Sequence, residues 1–295
     1  MEWYVFALLA PTFWAMNNVF IKFLITKKFQ NYFATIVTVV FMDAIFALVV
    51  LALVQIEVSF PYSVVGFVVG LMPLTGFWFY SRALLTEEVT RIITLFQLIP
   101  VFVVFLSVIF LDEVLGIQKY FGISLIVVAS MLISYRKSGG KPFSSALRFM
   151  VPFAVIIAAY TISDKILLGY LDYWSLFFWN IMGTFCGALV LLSLPRLRKR
   201  TIKAVGAAGK KAVFTTFIGE GLYVIGTICS LVALSLVDAS LASSLFGLQP
   251  FFVFFYTLFL SVFMPRILRE EMNKSIISLK LSAIALMFIG TWLVI

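Results

Sequence analysis

Apolar residues run in blocks of about 20 along this chain, separated by short clusters of charged residues, Gly, Pro, Asn or Gln. At about 1.5 Å rise per residue, about 20 residues match a hydrocarbon core about 30 Å thick. Ten blocks are predicted as spanning helices: residues 3–25, 33–54, 63–85, 90–110, 116–135, 148–170, 174–194, 213–236, 240–262 and 275–295. Connections at 26–32, 55–62, 112–115 and 169–173 carry breakers or charges, and the two longest, 136–147 and 195–212, are predicted as loops. The segment 138–147, with Ser138, Gly139, Gly140 and Pro142, reads as a linker between two halves, 1–137 and 148–295. The first block does not read as a cleaved leader, because Glu2 precedes it and its basic pair, Lys27–Lys28, follows it.

The halves resemble each other. At a constant offset of 150, Ala83, Leu84, Leu95, Phe96, Leu98, Pro100, Phe102, Val103 and Phe105 meet Ala233, Leu234, Leu245, Phe246, Leu248, Pro250, Phe252, Val253 and Phe255. Apolar matches are common in such helices, but two prolines at one register inside helical runs are not. Five spans per half is odd, so the second half enters the membrane inverted. The expected fold is an all-α integral membrane protein with ten transmembrane helices as two inverted five-helix repeats.

Composition removes other classes. The chain is 63% hydrophobic and 12% charged, with mean hydropathy +1.13, more apolar surface than a soluble protein can hide. The net charge of +9 sits in short loops between spans, not on a basic groove, so no nucleic-acid partner is expected. Loops after odd-numbered spans hold most of the Lys and Arg, while loops after even ones hold little beyond Lys119. By the positive-inside rule both termini then face outward. The chain has no histidine, which removes imidazole metal ligands and His acid–base chemistry. Cys186 and Cys229 lie inside apolar runs and read as small hydrophobes. No cofactor and no metal are expected.

Several motifs give the chain a family likeness: Tyr80-Ser-Arg-Ala-Leu84, a fourth span containing Pro100, Leu111-Asp-Glu113, Gly122 opening the fifth span, then Val232-Ala-Leu234, Pro250 and Glu270-Glu271. Over nearly its whole length it resembles the ten-span, EamA-type members of the drug/metabolite transporter superfamily. It departs by an insertion near 264–269. The resemblance implies a substrate cavity lined by spans 1, 3, 4, 6, 8 and 9, with spans 5 and 10 peripheral. It also implies termini inside, opposite to the loop-charge reading.

Polar residues inside spans carry what chemistry there is, since a charge at bilayer depth costs roughly 2.5–3.5 kcal/mol. Asp43, at the centre of span 2, reads either as a protonatable coupling site or as a hydrogen-bonded structural acid. Glu220 shares a face of span 8 with Tyr223 and Thr227, and can hold an amine or exchange a proton. It outranks Asp43, whose span the family places at the cavity's margin. Trp14, Asn17 and Asn18 fall together in span 1, and an offset of 143 maps the two amides onto Tyr160 and Thr161 of span 6. These groups can hold a polar ligand across the pseudo-two-fold, or simply join helices. Asp164 lies on the Tyr160 face, and Lys22 and Lys165 read as snorkelling span ends. Tyr80, Gln97 and Gln249 complete the substrate-binding set. Pro100 and Pro250 are candidate gating kinks, because each frees a carbonyl in the preceding turn. Glu88 and Arg91 read as a loop-end ion pair.

The expected function is therefore a cell-membrane, multi-pass transporter, not an enzyme. It would move a small metabolite, such as an amino acid or amine, through a central cavity by alternating access. The chain has no nucleotide-binding motif, so transport would be secondary active or facilitative, driven by a gradient of substrate or of an ion, for which a proton is the candidate. Expected partners are the small-molecule substrate and membrane lipids, with the protein a monomer or weak homo-oligomer. A membrane-embedded enzyme for lipid or prenyl substrates would need clustered acids or a nucleophile with its base, and a channel would need repeated filter residues.

Overall fold

A computed structural model describes residues 2–24, 32–84, 95–134, 146–263 and 274–295. Lys27–Lys28, the Glu88–Arg91 pair, most of the central linker, Glu270–Glu271 and the insertion near 264–269 lie outside the described residues. The described residues are helical, with no strand among them. In chain order the helices are α1 (Trp3–Leu24), α2 (Tyr32–Leu53), α3 (Tyr62–Val69), α4 (Leu71–Leu84), α5 (Leu98–Phe110) and α6 (Ile117–Ser134). The second half adds α7 (Leu147–Leu167), α8 (Tyr173–Leu192), α9 (Pro195–Leu236), α10 (Ala239–Phe246), α11 (Gln249–Phe263) and α12 (Lys274–Val294). Among the described residues, six helical stretches are long and apolar enough to cross a membrane, with α3–α4 and α10–α11 each read as one.

Gln97 meets Gly247 at one end of α5 while Glu113 meets Ala239 and Ser240 at the other, so α5 runs antiparallel to α10. The Glu113 carboxylate accepts from the Ala239 and Ser240 N–H groups at 2.7 and 3.0 Å, filling the anion-favouring start of α10. A Cβ on Gly122 would meet the Gly290 carbonyl, and one on Gly290 the Gly122 carbonyl, so α6 and α12 cross at backbone contact.

Both paired prolines follow a helix interruption, at Phe96–Gln97 before Pro100 and at Gly247–Leu248 before Pro250. The cause is the missing proline N–H. The Phe96 carbonyl is taken instead by Ile99 N–H at 2.9 Å. The Gly247 carbonyl, out of the helical ladder, accepts from Ser130 Oγ at 2.8 Å and Gln97 Nε2 at 3.3 Å. One interruption thus supplies a side chain that satisfies the other.

The expected loop at 195–212 is instead a helix, the first part of α9. Pro195 suits a helix start, and the Arg, Lys, Leu and Ala residues after it are good helix formers. Thr201 is buried, and Val205 and Ala208 pack with Ile21, Leu24 and Ala212 at the end of α1. Charge density made this stretch look like a connector and hid the helical period of its inner face. Only Gly209 leaves helical geometry, with φ 78° and ψ 170°, a backbone region that favours glycine. It divides the basic helix from the spanning part of α9.

Candidate functional site

The site begins where α1 lies against α9. A Cβ on Gly226 would sit 2.8 Å from Trp14 Cδ1 and 3.0 Å from the Ala10 carbonyl, and one on Gly219 would sit 3.2 Å from Asn17 Oδ1. Two glycines seven residues apart thus open one face of α9 for Trp14 and Asn17. Trp14 Nε1 donates to Thr227 Oγ1 at 3.3 Å, and Asn17 Nδ2 makes a long 3.5 Å contact to Glu220 Oε1. From the other side, α2 brings Asp43 into side-chain hydrogen-bond contact with Glu220. Glu220 is 1% exposed and Asp43 6%. Asp43 Oδ1 and Asn17 Oδ1 are buried without a hydrogen-bond partner. Phe46, one turn beyond Asp43, stacks on Phe217, one turn before Glu220, with ring centroids 4.9 Å apart.

A second cluster joins α7 to α8. Asn180 Nδ2 donates to Asp164 Oδ1 at 2.8 Å and to the Tyr160 hydroxyl at 3.1 Å. The Tyr160 hydroxyl also bonds the Asp164 carboxyl one turn along. Asp164 is 2% exposed. This cluster sits where α3 and α8 cross at backbone distance, because a Cβ on Gly70 or Gly183 would overlap the facing chain. Thr184 Oγ1 donates to the Gly70 carbonyl there. Tyr223 lies between the clusters, within electrostatic reach of Asp43, Glu220 and Asp164 and hydrogen-bonded to Thr227.

The structure gathers Trp14, Asn17, Asp43, Glu220 and Tyr223 around one centre, with Tyr160 and Asp164 beside it. The ranking of Glu220 over Asp43 rested on α2 lying at a margin, and the contact between the two acids removes that ground. Gln97 is engaged at the Gly247 interruption, away from both acids. Tyr80 packs with Phe96 and Phe153, centroids 5.4 and 5.6 Å away. The Thr161 hydroxyl bonds back to the Ile157 carbonyl of its own helix at 3.0 Å. Asn18 and Gln249 are half-buried. Lys165 Nζ donates to the Leu234 and Val237 carbonyls, each at 2.7 Å, so its ammonium is engaged in tying down the end of α9. Sequence reasoning missed Asn180, because span 7 lies outside the cavity the resemblance implied. An amide in mid-span was the available signal.

The profile of the EamA-like transporter family matches residues 1–135. The first half of the chain is an EamA-like transporter domain. That domain ties residues 1–135 to the drug/metabolite transporter superfamily, and six helical stretches among the described residues have the length and apolar character to cross a membrane. No curated protein sequence matches the chain. A solved structure described only as "Crystal structure of protein" superimposes with TM-score 0.71 at 16% identity, covering 98% of this chain and 94% of that one. At that identity the likeness concerns the fold, and it extends across both halves.

Proposed function

We propose that this EamA-type protein is a secondary active or facilitative transporter of the cell membrane. It moves a small metabolite, an amino acid, an amine or a related compound, past the Asp43–Glu220 centre by alternating access. Ten spans form two inverted five-helix repeats, 1–137 and 148–295, joined through 138–147. The antiparallel contact of Gln97 with Gly247 supports this, since the 150 offset pairs those two positions. A residue that touches its own repeat mate lies beside the pseudo-two-fold axis.

The observation that carries the functional reading is a pair of touching carboxyls buried in an apolar bundle. Among the described side chains no Lys or Arg hydrogen-bonds either acid. Two bare charges in contact at bilayer depth repel each other and are poorly solvated. One proton held between them removes the repulsion and gives Asp43 Oδ1 the partner it lacks. A substrate ammonium group can replace that proton, which links substrate movement to proton movement. Asn17 holds Glu220 in place, while Trp14, Tyr223 and Tyr160 line the polar centre with Thr161, Asp164 and Asn18. Tyr80, Gln97 and Gln249 act with the hinges at Pro100 and Pro250 as the halves rock.

The test is flux in liposomes containing only the purified chain. A panel of labelled amino acids and small amines is offered under an imposed pH gradient. At least one is expected to accumulate, with the gradient collapsing as it does so. Glu220→Gln is expected to abolish accumulation at unchanged expression. Accumulation that ignores both the gradient and Glu220→Gln would remove the carboxyl pair from the mechanism.

A further inference from the structure

The elbow of α9 at Gly209 carries a feature that transport does not use. Between Pro195 and Gly219 the chain has Arg196, Arg198, Lys199, Arg200, Lys203, Lys210 and Lys211, and no acid. All seven basic side chains are exposed. The turn at Gly209 swings the basic helix away from the spanning part, leaving an open cleft of about 510 Å³ between them. Its walls are mostly apolar: Met42 of α2 and Val213, Phe214 and Phe217 of α9, with Lys210 as the charged residue among the lining groups. Phe214 is 64% exposed on the outer face of the bundle, where lipid tails lie. Apolar walls open to the bilayer, topped by one ammonium and flanked by a helix of guanidinium and ammonium groups, complement a molecule with an acyl chain and an anionic head.

We propose that this cleft binds an anionic phospholipid, with an acyl chain along Met42, Val213, Phe214 and Phe217 and the phosphate at Lys210. The flanking helix lies along the headgroup layer, its inner face held by Ile21 and Leu24 and its basic face toward anionic heads. A phosphate draws on charge-assisted hydrogen bonds from Lys210, while the helix raises the local concentration of anionic lipid. A free phosphate lacks the apolar half of the fit, so the cleft selects lipid over inorganic anion.

The experiment uses the full chain in lipid nanodiscs of phosphatidylcholine doped with phosphatidylglycerol, with bound lipid read by native mass spectrometry. Phosphatidylglycerol is expected to be retained over phosphatidylcholine. Lys210→Gln is expected to cut that preference about fivefold, the effect of losing one basic group near a membrane surface. Lys210→Arg keeps it. Lys210 is exposed, so neither change threatens the fold. Widening the cleft floor with Phe214→Ala is expected to weaken retention of both lipids while keeping their ratio. Equal retention of the two lipids by the unaltered chain overturns the proposal. So does a preference that survives Lys210→Gln but vanishes in the triple Arg198→Gln, Lys199→Gln, Arg200→Gln variant, which puts the lipid on the helix and not in the cleft. Displacement by millimolar inorganic phosphate also overturns it, marking a simple anion site. Loss of lipid selectivity with transport intact separates this site from the Asp43–Glu220 reading.

Discussion

The polar cluster on α1, α2 and α9 and the one on α7 and α8 occupy corresponding places in the two proposed repeats, yet they are built differently. Offset 143 pairs Asn17 with Tyr160, and offset 150 pairs Glu220 with Gly70. In the second cluster one amide serves both a phenol and a single acid, and only Asn180 Oδ1 is left open. In the first, two acids touch, the amide contact is stretched to 3.5 Å, and both Asn17 Oδ1 and Asp43 Oδ1 lack partners. Satisfied polar groups hold helices together, whereas unsatisfied ones favour whatever arrives to satisfy them. On the proposed reading, the second cluster is a fastening and the first a responsive site.

The sharpest way to break this contrast is to neutralise acids one at a time. Glu220→Gln and Asp43→Asn are each expected to bring proton-driven flux in proteoliposomes to background, because each removes half of one proton site. Substantial flux in Asp43→Asn beside a dead Glu220→Gln would restore the ranking read from sequence. Asp164→Asn is expected to leave the proton dependence in place.

The next effect concerns stability. Gly70→Ala forces a methyl into the backbone of α8, so it is expected to destabilise by about 1–3 kcal/mol, the usual cost of overpacking. Gly219→Ala meets Asn17 Oδ1 and Phe20 Cβ, both at 3.2 Å, side-chain atoms and not backbone, and is expected to cost less. Thermal unfolding in detergent compares the two, and the reverse order would mean that the α1–α9 seam is the tighter one.

Smaller again is Asn180→Ala. It removes two interhelical hydrogen bonds and is expected to lower stability by about 0.6–1.7 kcal/mol, with coupled transport retained. A coupling defect with unchanged melting would make the second cluster a working site. The smallest effect is expected from Trp14→Phe. It keeps the ring against Gly226 but loses the 3.3 Å bond to Thr227, at a cost of about 0.6 kcal/mol or less.

Much of this was legible in the chain because a bilayer demands it. Apolar blocks of spanning length and a proline recurring at one register follow from local composition, and apart from α9 and the breaks before Pro100 and Pro250 the described helices begin and end within a few residues of those blocks. The helix at 195–208 escaped notice because its apolar face is thin and its charges read as a connector. Glu220, Asn17 and Asp164 stood out as polar residues in costly places, and they are buried among polar partners.

What those residues touch was decided by packing. Nothing in the order of residues says that Asp43, 177 positions before Glu220, comes into side-chain contact with it. Gly219 and Gly226 let α1 approach α9, Gly221 lets Phe46 of α2 lie against the same helix, and the three elements then set two carboxyls side by side. Likewise Gln97 looked like a ligand and became the partner of a carbonyl freed near Pro250. The sequence by itself determined which segments enter the membrane, since hydropathy and helical length are local properties. Only the tertiary structure decided which buried polar groups meet, because that depends on close helix approach between residues far apart in the chain.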